Sequence, residues 1–228
     1  MIDNQVITHP IQQYILQVLT YHKTARFSDM RKPNTDSNLY SYHLKQIIKS
    51  GLVEKISTEY RLTAKGLMYV DRISHSNLQL RVQPKIITMI ILKNKQDEVL
   101  LTPRDHQPFI TRWTLPSGKL HIEDGNIFDA AVRELDEKIG LRISPRALSH
   151  SGDVYIRVTA EEAMISCVFA HIFMARIADF DSDNTVWSDA TWRQQHKLAP
   201  AIDDLIDLQQ KSHQQFFAEL NYQVDLTQ

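Results

Sequence analysis

Apolar residues recur at Ile11, Tyr14, Ile15, Val18 and Leu19, the i, i+3, i+4, i+7 stripe of an amphipathic helix, with Pro10 suited to its first turn. Phe27–Met30 predicts a short helix before Pro33 and Asn34 break the chain. Asp36 or Ser37 can cap a helix running to Ser50, with Gly51 as its left-handed stop and Leu39, Leu44, Ile47 and Ile48 facing inward. Val53–Ile56 and Tyr60–Leu62 predict two short strands, and Thr63 caps a closing helix over residues 64–73. The polar stretch after it marks a boundary, although Leu78, Leu80 and Val82 alternate as an edge strand would.

Beyond Pro84 the pattern changes. Ile86–Leu92 and Val99–Leu101 predict strands joined through residues 93–98, and the apolar run Met164–Ile177 predicts a buried strand. Between them Ile127–Ile139 has helical spacing and ends at Gly140. Strands alternating with helices indicate an α/β domain. At the tail, Pro200 opens a last helix whose stripe takes Ile202, Leu205, Ile206, Phe216, Phe217 and Leu220.

Composition adds little until the chain is divided. Of its 228 residues 43% are hydrophobic and 23% charged, as in ordinary globular proteins. No stretch approaches the ~20 apolar residues of a membrane span, and no secretion signal opens the chain, so no membrane partner is expected. The single Cys167 sits in an apolar strand as a structural thiol, which fits a reducing cytoplasm. The net charge of −1 hides an asymmetry: residues 1–75 hold ten Lys and Arg against six Asp and Glu, the remainder sixteen against twenty-one. A basic first part suits a polyanion.

The segment HLKQIIKSGLVEKISTEYRLTAKG resembles the recognition helix, wing and closing helix of winged helix-turn-helix regulators, over residues 8–75. The resemblance implies that helix 37–50 reads double-stranded DNA in the major groove while the wing touches backbone. Ser37, Asn38, Tyr40, Ser41 and Lys45 then face outward; Asn and Ser can read base edges, and Lys45, Lys49 and Lys55 can neutralise phosphates. Winged helices also serve as protein-interaction modules, and Glu59 at the wing tip suits that role better than DNA. Such readers commonly pair on two half-sites, which implies a homodimer.

The segment LPSGKLHIEDGNIFDAAVRELDEKIGL, residues 115–141, resembles the Nudix box, matching it at Gly118, Arg133, Glu134, Leu135, Glu137, Gly140 and Leu141. The flanks VLLTPRD and TRWTLPSGK resemble the family's strand and lead-in. The expected architecture is an α/β Nudix fold, a mixed sheet sandwiched by helices, over residues 85–228, joined through a linker at 76–84 to a small winged-helix α+β domain at 1–75. In the family, glutamates at i, i+3 and i+4 on one helix face offer hard oxygens to Mg²⁺, which bridges a diphosphate and activates water. Here those positions are Glu134, Glu137 and Lys138. An ammonium replaces the third carboxylate, and two unit charges about 4 Å apart at an effective dielectric of ~20 interact by roughly 4 kcal/mol.

A second departure concerns spacing. The family's Arg stands fourteen positions after the box Gly, whereas fifteen separate Gly118 from Arg133. Counting forward puts Asp124 at the loop's acidic position; counting back puts Gly125 there, so the loop has either gained a residue or lost its acid. Ser117 stands where the lead-in carries a Gly. Arg104, Arg112, Gly118, Lys119, Arg133 and Lys138 are candidate ligand residues, since Arg holds diphosphate oxygens bidentately; His121 could contact phosphate too, although a loop histidine is the commoner role.

The expected function is a DNA-binding transcriptional regulator whose Nudix-like domain senses a nucleotide or sugar-phosphate. The alternative is an active Nudix hydrolase of nucleoside diphosphate derivatives, with Mg²⁺ on Glu134 and Glu137 as catalytic and metal residues. A third is a non-catalytic interaction protein.

Overall fold

The computed structural model describes residues 7–73, 83–178, 180–212 and 214–225. The alternation at Leu78, Leu80 and Val82 lies outside the described residues. The chain divides into two compact units, Met1–Gln83 and Pro84–Gln228.

Among the described residues the first unit has four helices, α1 (Pro10–Tyr21), α2 (Phe27–Met30), α3 (Ser37–Lys49) and α4 (Ala64–Asp71). Its antiparallel sheet is ordered β1 (Ala25–Arg26), β3 (Glu59–Leu62), β2 (Val53–Ile56). Caps set the helix starts: Asp36 accepts from the Asn38 and Leu39 amides, and Thr63 from that of Gly66. Gly51, at φ 76°, allows the reversal out of α3 that an L side chain resists. Ile15, Leu16, Met30, Tyr40, Leu44 and Ile47 centre the core.

The face of α3 departs from expectation. Tyr40, His43, Leu44 and Ile47 are buried, whereas Leu39 is exposed. Leu44 and Ile47 face inward as expected and Ile48 packs at the core's margin, so the difference is local: Tyr40 and His43 take the inward place expected of Leu39. Tyr40, expected outward as a DNA residue, is wholly buried and packs edge-on against Phe27.

The second unit is built on an eight-stranded mixed sheet. The main path runs β10 (Val186–Ser188), β5 (Val99–Pro103), β4 (Lys85–Lys93), β9 (Ala163–Arg176), β8 (Ser149–Ala160), β11 (Phe216–Gln223). β6 (Trp113–Thr114) pairs with β5, and β7 (Ser117–Lys119) with β4. The β4–β9 and β8–β11 pairs are parallel; the others are antiparallel.

Helix α5 (Ile127–Ile139) packs Ala131, Leu135 and Ile139 on one core, with Ile90, Leu92 and Phe173. The opposite core gathers Val154, Ile156, Val158, Ala170 and Ile172 against Ile202, Leu205 and Ile206 of α7 (Ile202–Lys211). Between β10 and α7 lies the short α6 (Ala190–Gln195).

The tail is corrected here. α7 ends at Lys211, and Phe216, Phe217 and Leu220 stand on β11 rather than on a helix. Exposure alternates along the whole strand, with Phe216, Ala218, Leu220 and Tyr222 on the more sheltered face. The strand's period of two follows directly on the helical stripe of α7, so the two run together in the sequence pattern. Among the described residues no helix is long and apolar enough to cross a membrane.

Candidate functional site

Asn126 caps α5 by accepting from the Phe128 and Asp129 amides, and Gly140 closes the helix in the left-handed region. With those ends set, Glu134 points inward and is 3% exposed, which demands a partner for a buried charge. Arg133 supplies it: Nη1 donates to Glu134 Oε1 at 2.8 Å and to Glu137 Oε2 at 3.2 Å. The same guanidinium grips Asp124 with both arms, Nε to Oδ1 at 2.8 Å and Nη2 to Oδ2 at 2.9 Å, and Nη2 also reaches the Lys119 carbonyl at 3.0 Å. Asp124 further accepts from the His121 amide at 2.7 Å. Hydrogen bonds from Arg133 hold its pKa down to about 2, and the carboxylates in turn hold the guanidinium charged.

This network answers the loop question. Asp124 occupies the acidic position, so the additional residue lies between Asp124 and Arg133. Gly118 is explained as well: a Cβ there would fall 1.7 Å from Glu134 Oε2, so any larger residue must displace the Glu134 carboxylate. Sequence reasoning placed Gly118 as a ligand contact, and its tight packing on Glu134 was not legible without the fold.

A cavity of about 350 Å³ opens beside this network. Its polar wall carries Lys85, Arg104, Lys119, Lys138, Glu134 and Glu137, and its apolar wall includes Ile87, Met89, Phe109, Ile156 and Val168. The loop between β5 and β6 presents Arg104, Pro108 and Phe109 because it is closed by Arg104 N–H donating to Arg112 O and Thr111 N–H to Arg104 O, each at 2.9 Å. Arg104 is held by Nε donating to Pro108 O at 2.8 Å.

Four Lys and Arg thus face the space against two Glu, and Glu134 is already neutralised by Arg133. Burial lowers the Lys85 pKa, and the neighbouring Lys119 and Arg104 cations lower it further. Burial also lowers that of Arg104. An anion in the cavity would relieve this crowding.

Of the expected ligand residues, Arg104, Gly118, Lys119 and Lys138 line the cavity together, as does His121. Arg112 and Arg133 do not: the Arg112 Nη1 donates to Leu198 O at 3.4 Å, and Arg133 is engaged by three carboxylates. Lys85 escaped sequence reasoning, because only the pairing of β4 with β7 and β9 brings it here. Cys167 is half-buried on β9, its thiol donating to the Tyr155 hydroxyl at 3.2 Å.

The donor set fits Mg²⁺ poorly. Hard divalent binding wants several unengaged carboxylate oxygens. Glu134 and Glu137 each give one oxygen to Arg133, and the third helical position is an exposed ammonium with no hydrogen bond or ion pair among the described residues.

The NUDIX domain family model matches residues 83–216, more than half of the chain. The chain belongs to the NUDIX family. Several solved structures align with the chain at low identity. The NUDIX domain of Shewanella oneidensis NrtR, complexed with ADP ribose, aligns at 17% identity and a TM-score of 0.50, covering 66% of this chain and 98% of that one. A NUDIX hydrolase from Nitrosomonas europaea aligns at 21% identity and TM-score 0.45, covering 65% and 86%. A structure of Shewanella oneidensis NrtR aligns at 18% and 0.46, covering 55% and 61%. No curated protein matches the chain.

In the first unit, Ser37, Asn38, Lys45, Lys49 and Lys55 are exposed and Ser41 is half-buried. The Ser37 hydroxyl accepts from Arg31 at 2.6 Å, and Lys55 lies 5.9 Å from the Tyr60 ring centroid. Other cations there are shared: Arg61 pairs with Glu54 at 2.7 Å and Arg26 with Glu59 at 3.9 Å.

Proposed function

We propose that this chain is a DNA-binding regulator whose NUDIX unit senses an anionic nucleotide or sugar-phosphate. The observation that carries the reading is Lys138 at the third metal-binding position of a cavity already rich in cations. In this reading Lys138, Lys119, Arg104 and Lys85 take the diphosphate, and Phe109 offers an aromatic face to the base. Arg133 acts inside the wall, offsetting the charge of Glu134 and Glu137 through one oxygen of each.

The first unit is read as a winged helix. α2, a turn and α3 form its helix pair, and β2 with β3 its wing. Asn38 and Ser37 read base edges while Lys45, Lys49 and Lys55 meet phosphates, and two copies pair on two half-sites. Ligand control follows if the ligand binds the DNA-bound and DNA-free forms with different affinity; DNA then changes ligand affinity by the same factor.

An active hydrolase is the second reading, favoured by Glu134 and Glu137 both lining the cavity. ADP-ribose, the ligand in the Shewanella NUDIX complex, is the first compound to test. Operator fragments selected from random duplexes by the full chain are titrated with and without it. A salt-sensitive affinity that shifts with ligand, without turnover, supports the regulator. Mg²⁺-dependent turnover abolished by Glu137→Gln would install the hydrolase instead.

A further inference from the structure

His150, Asp153 and His171 come together away from the cavity. His171 on β9 is the register partner of Asp153 on β8, and its Nδ1 lies 2.7 Å from Asp153 Oδ1. His150 precedes Asp153 by three residues, a spacing that in a regular strand puts side chains on opposite faces. The β8–β9 register slips between His150 and Gly152, and this bulge turns His150 onto the Asp153 face, with Nε2 3.0 Å from the same Oδ1. Cavity residues Ile156, Val158 and Val168 alternate onto the other face of these strands.

We propose that His150, Asp153 and His171 bind Zn²⁺. One potential donor atom from each lies within 4.8 Å of the others, a separation that small rotations close to the spacing of ligands around one ion at Zn–N and Zn–O distances of about 2.0–2.2 Å. Two imidazoles and a carboxylate select a borderline ion over Mg²⁺ or Ca²⁺. The side chains are 18%, 34% and 19% exposed in chain order, sheltered yet open enough for water as a fourth ligand.

The surroundings supply the orienting contact that metal-bound histidines use. The Gln215 amide lies 3.3 Å from His150 Nδ1, and turning it over lets its oxygen accept from Nδ1–H when Nε2 binds metal. The ion would tie β8 to β9 and, through Gln215, to the segment entering β11. Gly152 keeps that segment close, since a Cβ there would come within 2.3 Å of Phe216 O.

The test uses the untagged full chain after chelator treatment, titrated with Zn²⁺ by calorimetry and with Co²⁺ by visible absorption. Wild type takes up one ion per chain with an imidazole-type Co²⁺ spectrum and melts at a higher temperature with Zn²⁺. Loss of a direct ligand in His171→Ala or the isosteric Asp153→Asn weakens Zn²⁺ by more than the roughly 10–100-fold expected of Gln215→Leu, which removes only the orienting contact. Cys167→Ser leaves binding intact. Circular dichroism of each apo variant separates lost ligation from lost folding. Absence of stoichiometric Zn²⁺ binding, or equal affinity in wild type and Asp153→Asn, overturns the proposal and leaves a hydrogen-bonded triad.

Discussion

Asp124→Asn isolates the loop assignment, because the change keeps the side chain's shape and removes its charge. Both carboxylate oxygens are bonded to Arg133, at 2.8 and 2.9 Å, and the Asp124 side chain is 9% exposed. An amide would retain one acceptor and turn a donor toward the guanidinium. Hydrogen bonds to charged groups contribute about 1.5–3 kcal/mol, and Arg133 keeps its bonds to Glu134 and Glu137, so the loss should be about 2 kcal/mol. Linkage gives a ceiling of similar size: a carboxyl held at about 2 instead of its usual value contributes at most about 2.6 kcal/mol at neutral pH, less after solvent screening. In a unit of this size that is a fall in melting temperature of roughly 4–8 °C by calorimetry. The folded pKa is depressed, so the contribution is full above the ordinary carboxylate range and disappears as pH falls through about 2. The gap between wild type and variant should therefore be widest near neutrality and narrow below about pH 4. Glu123→Gln, exposed next door, should stay within about 0.5 kcal/mol of wild type. If Asp124→Asn behaves like that control, the loop acid has been misassigned.

Gly118→Ala should cost about 1–3 kcal/mol and weaken ligand binding, because Glu134 must move to admit the Cβ; unchanged denaturant midpoint and affinity would refute the packing argument. Lys45→Ala should weaken binding to any duplex and reduce its salt slope by about one, whereas Asn38→Ala should relax sequence choice, both read by fluorescence anisotropy; wild-type behaviour in both would remove α3 as the reader. An anion at Lys85 favours the protonated amine, whose pKa burial and neighbouring cations lower in the free protein. Ligand binding should therefore take up protons, and affinity should fall as pH rises from 7 toward the ordinary lysine range near 10.4; affinity independent of pH by calorimetry would contradict it.

What the sequence shows depends on how local the determinant is. Helix α5 was legible because its cap, apolar spacing and closing glycine all lie within fifteen residues of chain. So were the helices and hairpin of the first unit. On α3 Leu39 was expected inward in place of Tyr40, since both are apolar enough to bury and only the surrounding core, with Phe27 against Tyr40, chooses between them. β8 went unread although Val154, Ile156, Val158 and Ala160 alternate with less buried residues: the register shift between His150 and Gly152 breaks the period near its start, and its β11 partner lies far along the chain. The network around Arg133 needed the fold to choose Asp124 over Gly125. Lys85 and the His150–Asp153–His171 group join the picture only through strand register, which motif spacing does not encode.

The central claim is that cations, with Lys138 foremost, hold the ligand where a metal would be expected. Calorimetry of the full chain with ADP-ribose in chelator, then in Mg²⁺, tests it most directly when wild type, Lys138→Ala and Lys138→Glu are run together. The account predicts metal-free binding by wild type, weakened in Lys138→Ala and weakened further in Lys138→Glu, with no hydrolysis in either buffer. Binding that requires Mg²⁺, strengthens in Lys138→Glu and proceeds to turnover would contradict it.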